Sequence, residues 1–320
     1  MTPSSQPFFI IGVHRSGTTL LRFMLCRHSR IYIPPETDFI PYFFGKNPNE
    51  QLTDRRLQQI TYKIFTRYRF KEEWQGNRPT LPDLLCVMPD RTPASFLNSL
   101  FLLYAKQYGK FRWGDKTPIY ASYVELLHKI FPNAQFIHIL RDPFDASLSL
   151  LDKYQDREFH IDIYFAARNW VRRIDDITKA KQLLAPELYH ELRYEDLVRN
   201  PEENLREICS FLGETYEPAM VEQHLLAKDI IAPDSHFFAN VRNPVNTGSI
   251  GRGRKLLSLQ DKHLIQRVAG STMQQLGYEF EDLGTMTLPE ITRMELLRAK
   301  YNILQAGRRI MTSINLMPPI

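Results

Sequence analysis

Apolar and polar positions follow two periods along the chain, one typical of strands and one of helices. Phe8–Ile11 is a continuous apolar run that ends at Gly12, and a second run, Phe136–Leu140, stops before Pro143. Continuous runs of this length indicate strands buried on both faces of a parallel sheet. Residues 188–194 alternate apolar and polar positions and predict a third strand. A short strand is also predicted over Ile31–Ile33.

Helical spacing fills the stretches between these runs. Apolar residues recur every three to four positions within residues 57–68, 96–104 and 163–177, and a shorter helix is predicted over 123–130. Asn200, Pro201 and Glu203 form the pattern of an N-cap, a first-turn proline and a capping glutamate, and Gly213 is placed to end that helix. Strands that alternate with helices predict an α/β fold with a central parallel sheet.

Three stretches depart from this alternation. Residues 74–93 and 229–255 are rich in proline or glycine and predict long loops, which are usually functional or mobile. The pattern changes again near residue 284, which divides a main domain, 1–283, from an amphipathic helical extension, 284–320. This basic helix is expected to pack on the main domain or on a partner, so a homo-oligomer formed through it is one expectation, and contact with a membrane surface is the alternative.

Composition and charge narrow the function classes. The 320 residues are 43% hydrophobic and 24% charged, which excludes a disordered or repetitive chain. A net charge of +5 favours anionic ligands such as phosphate or sulfate without the clustered charge of a nucleic-acid binder. Cys26, Cys86 and Cys209 are scattered, which argues against a disulfide framework or zinc site and for a reducing, cytoplasmic compartment. No signal peptide or membrane span is expected, because no long apolar run occurs.

The first strand leads into a glycine-containing loop with the chemistry of a phosphate site. The sequence Gly12-Val13-His14-Arg15-Ser16-Gly17-Thr18-Thr19 is close to G-x-x-x-x-G-K-[ST], in which backbone N–H groups converge on a phosphate at a helix N-terminus. Thr18 stands in place of the lysine that reaches the phosphates of ATP. We therefore expect a shorter anion, held without a metal, with positive charge from Arg15. The alternative is a turn that only connects strand to helix.

Two motifs resemble those of sulfotransferases that use 3′-phosphoadenosine 5′-phosphosulfate (PAPS). GVHRSGTTLLRFML is similar to the 5′-phosphosulfate loop of these enzymes, which implies contacts from Arg15, Ser16, Gly17, Thr18 and Thr19. Arg141 and Ser149 have the spacing of the family's 3′-phosphate element, an arginine at a strand end followed eight residues later by a serine. A guanidinium fork and a hydroxyl suit charge-assisted recognition of a terminal phosphate.

Two later segments extend the resemblance, which spans roughly residues 8–277. Tyr194, in LRYEDL, resembles a tyrosine near the adenine, and an aromatic that only packs against a helix is the alternative. Residues 248–255 resemble the loop that closes over the 3′-phosphate, although the family usually has a tryptophan where Gly253 stands. The resemblance implies contacts from this loop without ranking its basic residues; the candidates are Ser249, Gly251, Arg252, Arg254 and Lys255.

Transfer of a sulfuryl group also needs a base and a cation. Glu36 lies after the first predicted helix in E-T-x-x-I-P, which resembles the segment carrying the glutamate base of protein-tyrosine sulfotransferases. Asp38 stands where those enzymes have an arginine, which argues against a protein-tyrosine acceptor. Lys116 corresponds to the lysine that contacts the transferring oxygens, and Arg15 is a further cation. His14 and Asp115 are the alternative bases.

The resemblance as a whole implies a PAPS-dependent sulfotransferase with a P-loop-like fold. PAPS is expected at the carboxyl ends of the strands, with in-line transfer to a hydroxyl of a small molecule, lipid or glycan and release of adenosine 3′,5′-bisphosphate (PAP). No metal and no nucleic acid are expected. The alternatives are a kinase with a degenerate phosphate loop and a non-catalytic PAP-binding protein.

Overall fold

The sheet that organises the molecule is seen in a computed structural model, which describes residues 6–66, 78–155, 161–231 and 241–313, with side chains as far as 308. The described strands form one parallel sheet in the order β2-β3-β1-β4-β5. Their bounds are β1 Phe8–Gly12, β2 Ile31–Tyr32, β3 Arg112–Asp115, β4 Gln135–Leu140 and β5 Tyr189–Arg193. The predicted α/β class and the parallel sheet are confirmed.

The register brings the carboxyl ends of the strands together. Gly12 at the end of β1 pairs with Ile139 of β4, and Leu140 pairs with Arg193 at the end of β5. On the other side of β1, Phe9 pairs with Asp115 at the end of β3. The loops that follow these strands therefore meet at one edge of the sheet, the usual place for a ligand in open α/β sheets.

Helices cover both faces of the sheet. The first seven are α1 Thr18–Cys26, α2 Ile40–Phe44, α3 Asp54–Thr66, α4 Leu81–Val87, α5 Pro93–Gln107, α6 Val124–Ile130 and α7 Pro143–Tyr154. They are followed by α8 Ile163–Lys181, α9 Tyr194–Arg199, α10 Pro201–Leu212, α11 Gln223–Ile230, α12 Arg252–Leu256, α13 Leu259–Gln275 and α14 Leu288–Ser313. The helices predicted over 57–68, 96–104, 123–130 and 163–177 are present, although Tyr68 lies outside the described residues.

The apolar run of β1 is explained by the two cores on either side of it. Phe9 packs with Trp113 and Phe136 in the core beneath α5, whereas Phe8 and Ile10 belong to the core beneath α1. Successive side chains of a strand point to opposite faces, so a strand covered on both sides needs apolar residues at every position. All five residues of β1 are buried accordingly.

Two local predictions were wrong. Within residues 74–93 the chain forms α4, where Thr80 and Asp83 make a reciprocal capping box and Pro82 occupies the first turn, the one part of a helix that tolerates proline. Residues 252–256 form α12 inside the second predicted loop, of which 232–240 lie outside the described residues. The side chain of Asn200 makes no cap hydrogen bond in α10, whereas Gly213 ends that helix at a φ of 73° as predicted.

The C-terminal helix α14 lies against the rest of the chain between Glu290 and Tyr301. Met294, Leu297 and Tyr301 pack on the core formed by α7, α8 and α13. Glu290 in its first turn is hydrogen-bonded to His263 of α13, with 3.0 Å between Oε1 and Nδ1. The division at residue 284 and an oligomer through this helix stay predictions. Each helix of the described residues is too short or too polar to cross a bilayer.

Candidate active site

A cavity of about 470 Å³ opens at the carboxyl edge of the sheet. Each of the five strands is followed by residues that line it. These are His14, Arg15, Gly17, Thr18 and Thr19 after β1, Glu36 after β2, Pro118 after β3, Arg141 after β4 and Tyr194 after β5. Lys153, Tyr154 and residues of the segment 241–252 close the remaining sides. The cavity therefore joins all the segments that carry the predicted motifs.

The loop after β1 has the backbone of an anion cradle. Arg15 and Gly17 have positive φ values of 72° and 93°, and α1 begins directly afterwards at Thr18, so the helix N-terminus borders the cavity. Helix N-termini offer unpaired N–H groups and a favourable dipole to anions. A left-handed conformation at a non-glycine residue such as Arg15 is strained, and such strain clusters at functional sites.

Arg15 is held beside this loop by a residue of α7. Its Nε donates a hydrogen bond to the hydroxyl of Ser149, at 3.0 Å. Burial, reinforced by the neighbouring Arg141, lowers the pKa of Arg15, but a guanidinium stays protonated in proteins. Arg15, predicted to contact the 5′-phosphosulfate, and Ser149, predicted to contact the 3′-phosphate, are thus in contact with each other.

Arg141 joins three segments around the phosphate loop. Its Nη1 donates to the carbonyl of Arg15 at 2.7 Å and its Nη2 to the carbonyl of Ser249 at 3.1 Å. The guanidinium lies 4.3 Å from the centre of the Tyr194 ring, in cation–π geometry. Its Nε is buried and has no hydrogen-bond partner among the described residues. Arg141 therefore orders the site and keeps one donor available.

Tyr194 packs directly on the phosphate loop. A Cβ atom on Gly17 would overlap the Tyr194 ring, so only glycine fits at that position beneath it. The Tyr194 hydroxyl lies 2.6 Å from the Ser249 hydroxyl. This contact connects the end of β5 to the late loop and places both residues on the cavity wall.

The late loop is anchored to the start of α7 by one carboxylate. Asp145 accepts hydrogen bonds from the backbone N–H groups of Gly251 and Gly253, at 2.8 and 2.6 Å. A Cβ on Gly253 would overlap the backbone of Phe144, so this contact distance leaves no room for the tryptophan of the family pattern. The close packing of α12 against α7 therefore requires glycine at position 253.

The three basic residues of this loop have different environments. Arg252 lines the cavity and is 3.6 Å from Asp152. Arg254 instead contacts Asp142 at 2.8 Å and donates to the carbonyl of Glu279 at 2.8 Å. Lys255 is exposed and does not line the cavity. The geometry thus separates Arg252 from the other two, which the sequence left unranked.

The opposite side of the cavity carries an acid–base pair. Lys116 Nζ lies 2.6 Å from Glu36 Oε1, which joins the loops after β3 and β2. Glu36 lines the cavity and is 30% exposed, whereas Lys116 lies behind it at 3%. Burial lowers the pKa of Lys116, and Glu36 opposes that shift. The carboxylate therefore faces the cavity with its cation behind it.

A buried network sets the position of the Glu36 loop. Thr37, the next residue, donates to Asp115 Oδ2 at 2.7 Å and lies 2.6 Å from the Tyr120 hydroxyl. Thr117 donates to the other oxygen of Asp115, also at 2.7 Å. Burial raises the pKa of Asp115 to about 6, although the two hydroxyls partly offset it. Asp115 does not line the cavity, so it orients Glu36 rather than facing an acceptor.

His14 is the other titratable group beside Glu36. Burial lowers its pKa to about 3, and the positive charge of Arg173 adds to this shift. The imidazole is therefore neutral at physiological pH and is a weak proton acceptor. Because general-base efficiency depends on pKa, so low a value makes His14 a poor general base.

The sequence candidates divide into two groups in the structure. Those lining the cavity are Arg15, Gly17, Thr18, Thr19, Glu36, Arg141, Tyr194, Ser249 and Arg252. Those outside its lining are Ser16, Lys116, Ser149, Gly251, Arg254 and Lys255. Sequence reasoning missed Lys153 and Tyr154, whose only signal is their spacing of one helical turn after Ser149 and Leu150. The described residues contain no group of three or more His, Cys, Asp or Glu side chains arranged to hold a metal.

A comparison with known protein families identifies this arrangement. The sequence model described as "Sulfotransferase family" matches residues 7–218, more than half of the chain and all five strands. The chain belongs to the sulfotransferase family. The matched region contains the loop Gly12–Thr19 as well as Arg141 and Ser149.

Individual relatives of the chain are distant in sequence. A putative protein-tyrosine sulfotransferase of Caenorhabditis briggsae is 23% identical over 77% of this chain and 79% of its own length. An omega-hydroxy-beta-dihydromenaquinone-9 sulfotransferase of Mycobacterium bovis is 25% identical over 66% of this chain and 63% of its own. An uncharacterized protein of Aquifex aeolicus is 27% identical over 79% of this chain, which spans only 29% of that relative.

Solved structures share the fold. The sulfotransferase domain from the curacin biosynthetic pathway superposes with a TM-score of 0.59 and 22% identity, over 88% of this chain and 100% of that one. The sulfotransferase domain from the Synechococcus PCC 7002 olefin synthase gives 0.58 and 22%, over 87% and 97%. The P-loop-like sulfotransferase fold predicted from the sequence is confirmed.

Proposed function

We propose that this protein transfers the sulfuryl group of PAPS to an acceptor hydroxyl and releases PAP. The observation that carries the proposal is a single cavity with a lysine-free phosphate loop on one side and the Glu36–Lys116 pair on the other. A phosphate loop binds the donor, and a carboxylate paired with a cation suits proton removal beside developing negative charge.

The donor side fits a nucleotide that carries two separate anionic groups. The N–H groups around Ser16 and Gly17 would hold the 5′-phosphosulfate, with Thr18, Thr19 and Arg15 beside it. The Nε of Arg141 and the Oγ of Ser16 are buried without partners among the described residues, as expected of groups that await a ligand.

The remaining contacts would come from the late loop and from β5. Arg252 and Ser249 would meet the 3′-phosphate together with Arg141, and Ser149 would position Arg15 through their hydrogen bond. Tyr194 would lie beside the adenine. Arg254 and Gly251 are assigned a structural role instead, because their polar groups hold Asp142 and Asp145.

The acceptor side supplies the proton chemistry. PAPS brings the reactive sulfuryl group when it is bound. Glu36 takes the proton of the acceptor hydroxyl. Lys116, buried behind it, holds the carboxylate in position through their 2.6 Å contact and adds positive charge to this wall of the cavity, instead of touching the transferring oxygens as the resemblance implied. The Asp115 network fixes the loop that carries Glu36. Neutral His14 offers a hydrogen bond without competing for the proton.

A kinase reaction is disfavoured by the same residues. Thr18 cannot supply the charge that a lysine brings to the phosphates of ATP, whereas a carboxylate on the cavity wall with a cation behind it supports transfer to a hydroxyl. An inactive PAP-binding protein would have no use for that pair.

The test is turnover with ³⁵S-labelled PAPS and a panel of hydroxyl compounds, followed by mass spectrometry of the products. We expect PAP and a sulfate ester to appear in equal amounts without added metal, and to disappear together in Glu36→Gln. Phosphate transfer from ATP with no sulfated product would contradict the proposal.

A further inference from the structure

Helices α8, α13 and α14 border a second cavity, of about 430 Å³. It shares no lining residue with the cavity at the carboxyl edge of the sheet. One side is apolar and aromatic, because Tyr164, Val268, Met294 and Tyr301 reach it from the core that the three helices share. The rings of Tyr164 and Tyr301 meet edge to face there, with 5.8 Å between their centres. A cavity of this size with an apolar side is typical of small-molecule sites.

Each of the three helices also contributes one arginine to this cavity: Arg168 from α8, Arg267 from α13 and Arg298 from α14. Arg298 is 3.4 Å from Glu295, one turn earlier on α14, and ion pairs as exposed as this one contribute little free energy. Arg168 and Arg267 make no hydrogen bond or ion pair with the described residues. The lining therefore holds three guanidinium groups and a single carboxylate.

Other carboxylates of the same helices do not balance this charge. Asp162 at the start of α8 accepts a hydrogen bond from Lys300 at 2.9 Å, and Asp261 of α13 accepts one from Arg293 at 2.8 Å. Asp175, farther along α8, is exposed. None of these three carboxylates lines the cavity. An excess of positive charge in a concave site favours an anionic ligand.

The two kinds of lining favour different parts of one ligand. Guanidinium forks recognise the oxygens of a phosphate or sulfate group by charge-assisted hydrogen bonds, and Asn302 adds an amide on the same side of α14 as Arg298. The two tyrosine rings offer an apolar surface to a flat organic group. An inorganic anion would meet the arginines alone and leave this surface uncovered.

We propose that this cavity binds an organic anion in which a phosphate or sulfate group is attached to a planar apolar body. The site goes beyond the proposed sulfuryl transfer and does not depend on it. It also gives α14 a role, because the bound ligand would join this helix to α8 and α13.

The experiment titrates phenyl phosphate and phenyl sulfate into the protein by calorimetry. Phenol and inorganic phosphate are the comparison probes, since each lacks one half of the ligand. Every titration is made with and without saturating PAP, which fills the phosphate loop. The variants are Arg168→Gln and Arg267→Gln. Lys179→Gln is the control, because it removes one positive charge from an exposed position on α8 that does not line the cavity.

We expect a phenyl ester to bind one-to-one in the presence of PAP, at least about tenfold more tightly than phenol, the effect of one charge-assisted hydrogen bond. Inorganic phosphate should also bind more weakly, and the tighter of the two esters identifies the anionic group. Each arginine variant should weaken binding by about tenfold, and Lys179→Gln should leave it within about twofold.

Two results would overturn the site: no binding of either ester, or binding that is unchanged in both arginine variants. Failure of the protein to bind PAP, with ester binding still lost in the arginine variants, would count against the proposed function and leave this site intact.

Discussion

The two sides of the cavity hold their charges in different ways. On the donor side, Arg15 and Arg141 are fixed by hydrogen bonds to a hydroxyl and to backbone carbonyls, all of them neutral groups. On the acceptor side, Glu36 contacts Lys116, and His14 and Asp115 have pKa values moved by burial. Guanidinium groups held by neutral partners thus line the side proposed to bind the donor, and titratable groups gather on the side proposed to move a proton.

This difference predicts that substitutions on the two sides of the cavity impair different properties of the protein. Changes on the donor side should alter nucleotide affinity, and changes on the acceptor side should alter turnover or its pH dependence.

Replacing Glu36 by glutamine should lower turnover by roughly 10²–10⁴-fold, the usual cost of losing a general base. Glutamine keeps the size and hydrogen-bonding capacity of the side chain but cannot take the acceptor's proton. PAP affinity, measured by calorimetry on the same protein, should stay near the wild-type value. His14→Asn is the comparison, and a larger loss of turnover there than in Glu36→Gln would reassign the base.

Replacing Asp115 by asparagine should change how stability depends on pH. The folded-state pKa of about 6 lies above the ordinary value of 3.8, so the folded protein binds the extra proton. Protonated Asp115 therefore adds to the free energy of unfolding below about pH 4. This contribution, about 3 kcal/mol, is lost as the pH rises through 6. Thr37 can turn its hydroxyl proton towards Tyr120, so the amide is accommodated.

Urea unfolding of both proteins between pH 4 and pH 7 measures this effect. The wild-type protein should lose free energy of unfolding relative to Asp115→Asn across that interval. A difference that does not vary with pH would mean that Asp115 is ionised throughout.

Replacing Arg141 by alanine should weaken PAP by about 10- to 100-fold, the effect of losing a charge-assisted contact. Adenosine 5′-phosphate lacks the 3′-phosphate and should be weakened much less. Calorimetry with both nucleotides distinguishes contact of Arg141 with the 3′-phosphate from its ordering of the site. Equal weakening would show that Arg141 acts only by ordering the Arg15 and Ser249 carbonyls.

Replacing Arg252 by glutamine should weaken PAP by about fivefold, because an exposed charge contributes about 1 kcal/mol. Arg254→Gln is the matched change on the same helix, and it should lower thermal stability through Asp142 while leaving PAP affinity within about twofold. The opposite pattern would place the phosphate contact on Arg254.

The donor side was the more predictable from sequence, for a physical reason. Its residues follow strand ends in short motifs, so the order strand, loop, helix places Gly17, Arg141 and Tyr194 near one another without knowledge of the packing. The same reasoning cannot reveal that Arg15 contacts Ser149 or that Arg254 contacts Asp142, because both contacts depend on the direction in which each side chain points.

The acceptor side depends more on tertiary contacts. Glu36 and Lys116 were both named from their motifs, but their pairing requires the β2 and β3 loops to meet. The buried state of Asp115 and the low pKa of His14 arise from packing that no local pattern encodes.

Binding of PAP in the presence of EDTA tests the central claim most directly. PAP should bind without a divalent metal, and PAP at 100 times its Kd should stabilise the fold by about 2.7 kcal/mol. Mg-ATP should bind more weakly under matched conditions with magnesium. Tighter binding of Mg-ATP than of PAP, or a requirement of PAP for metal, would contradict the account.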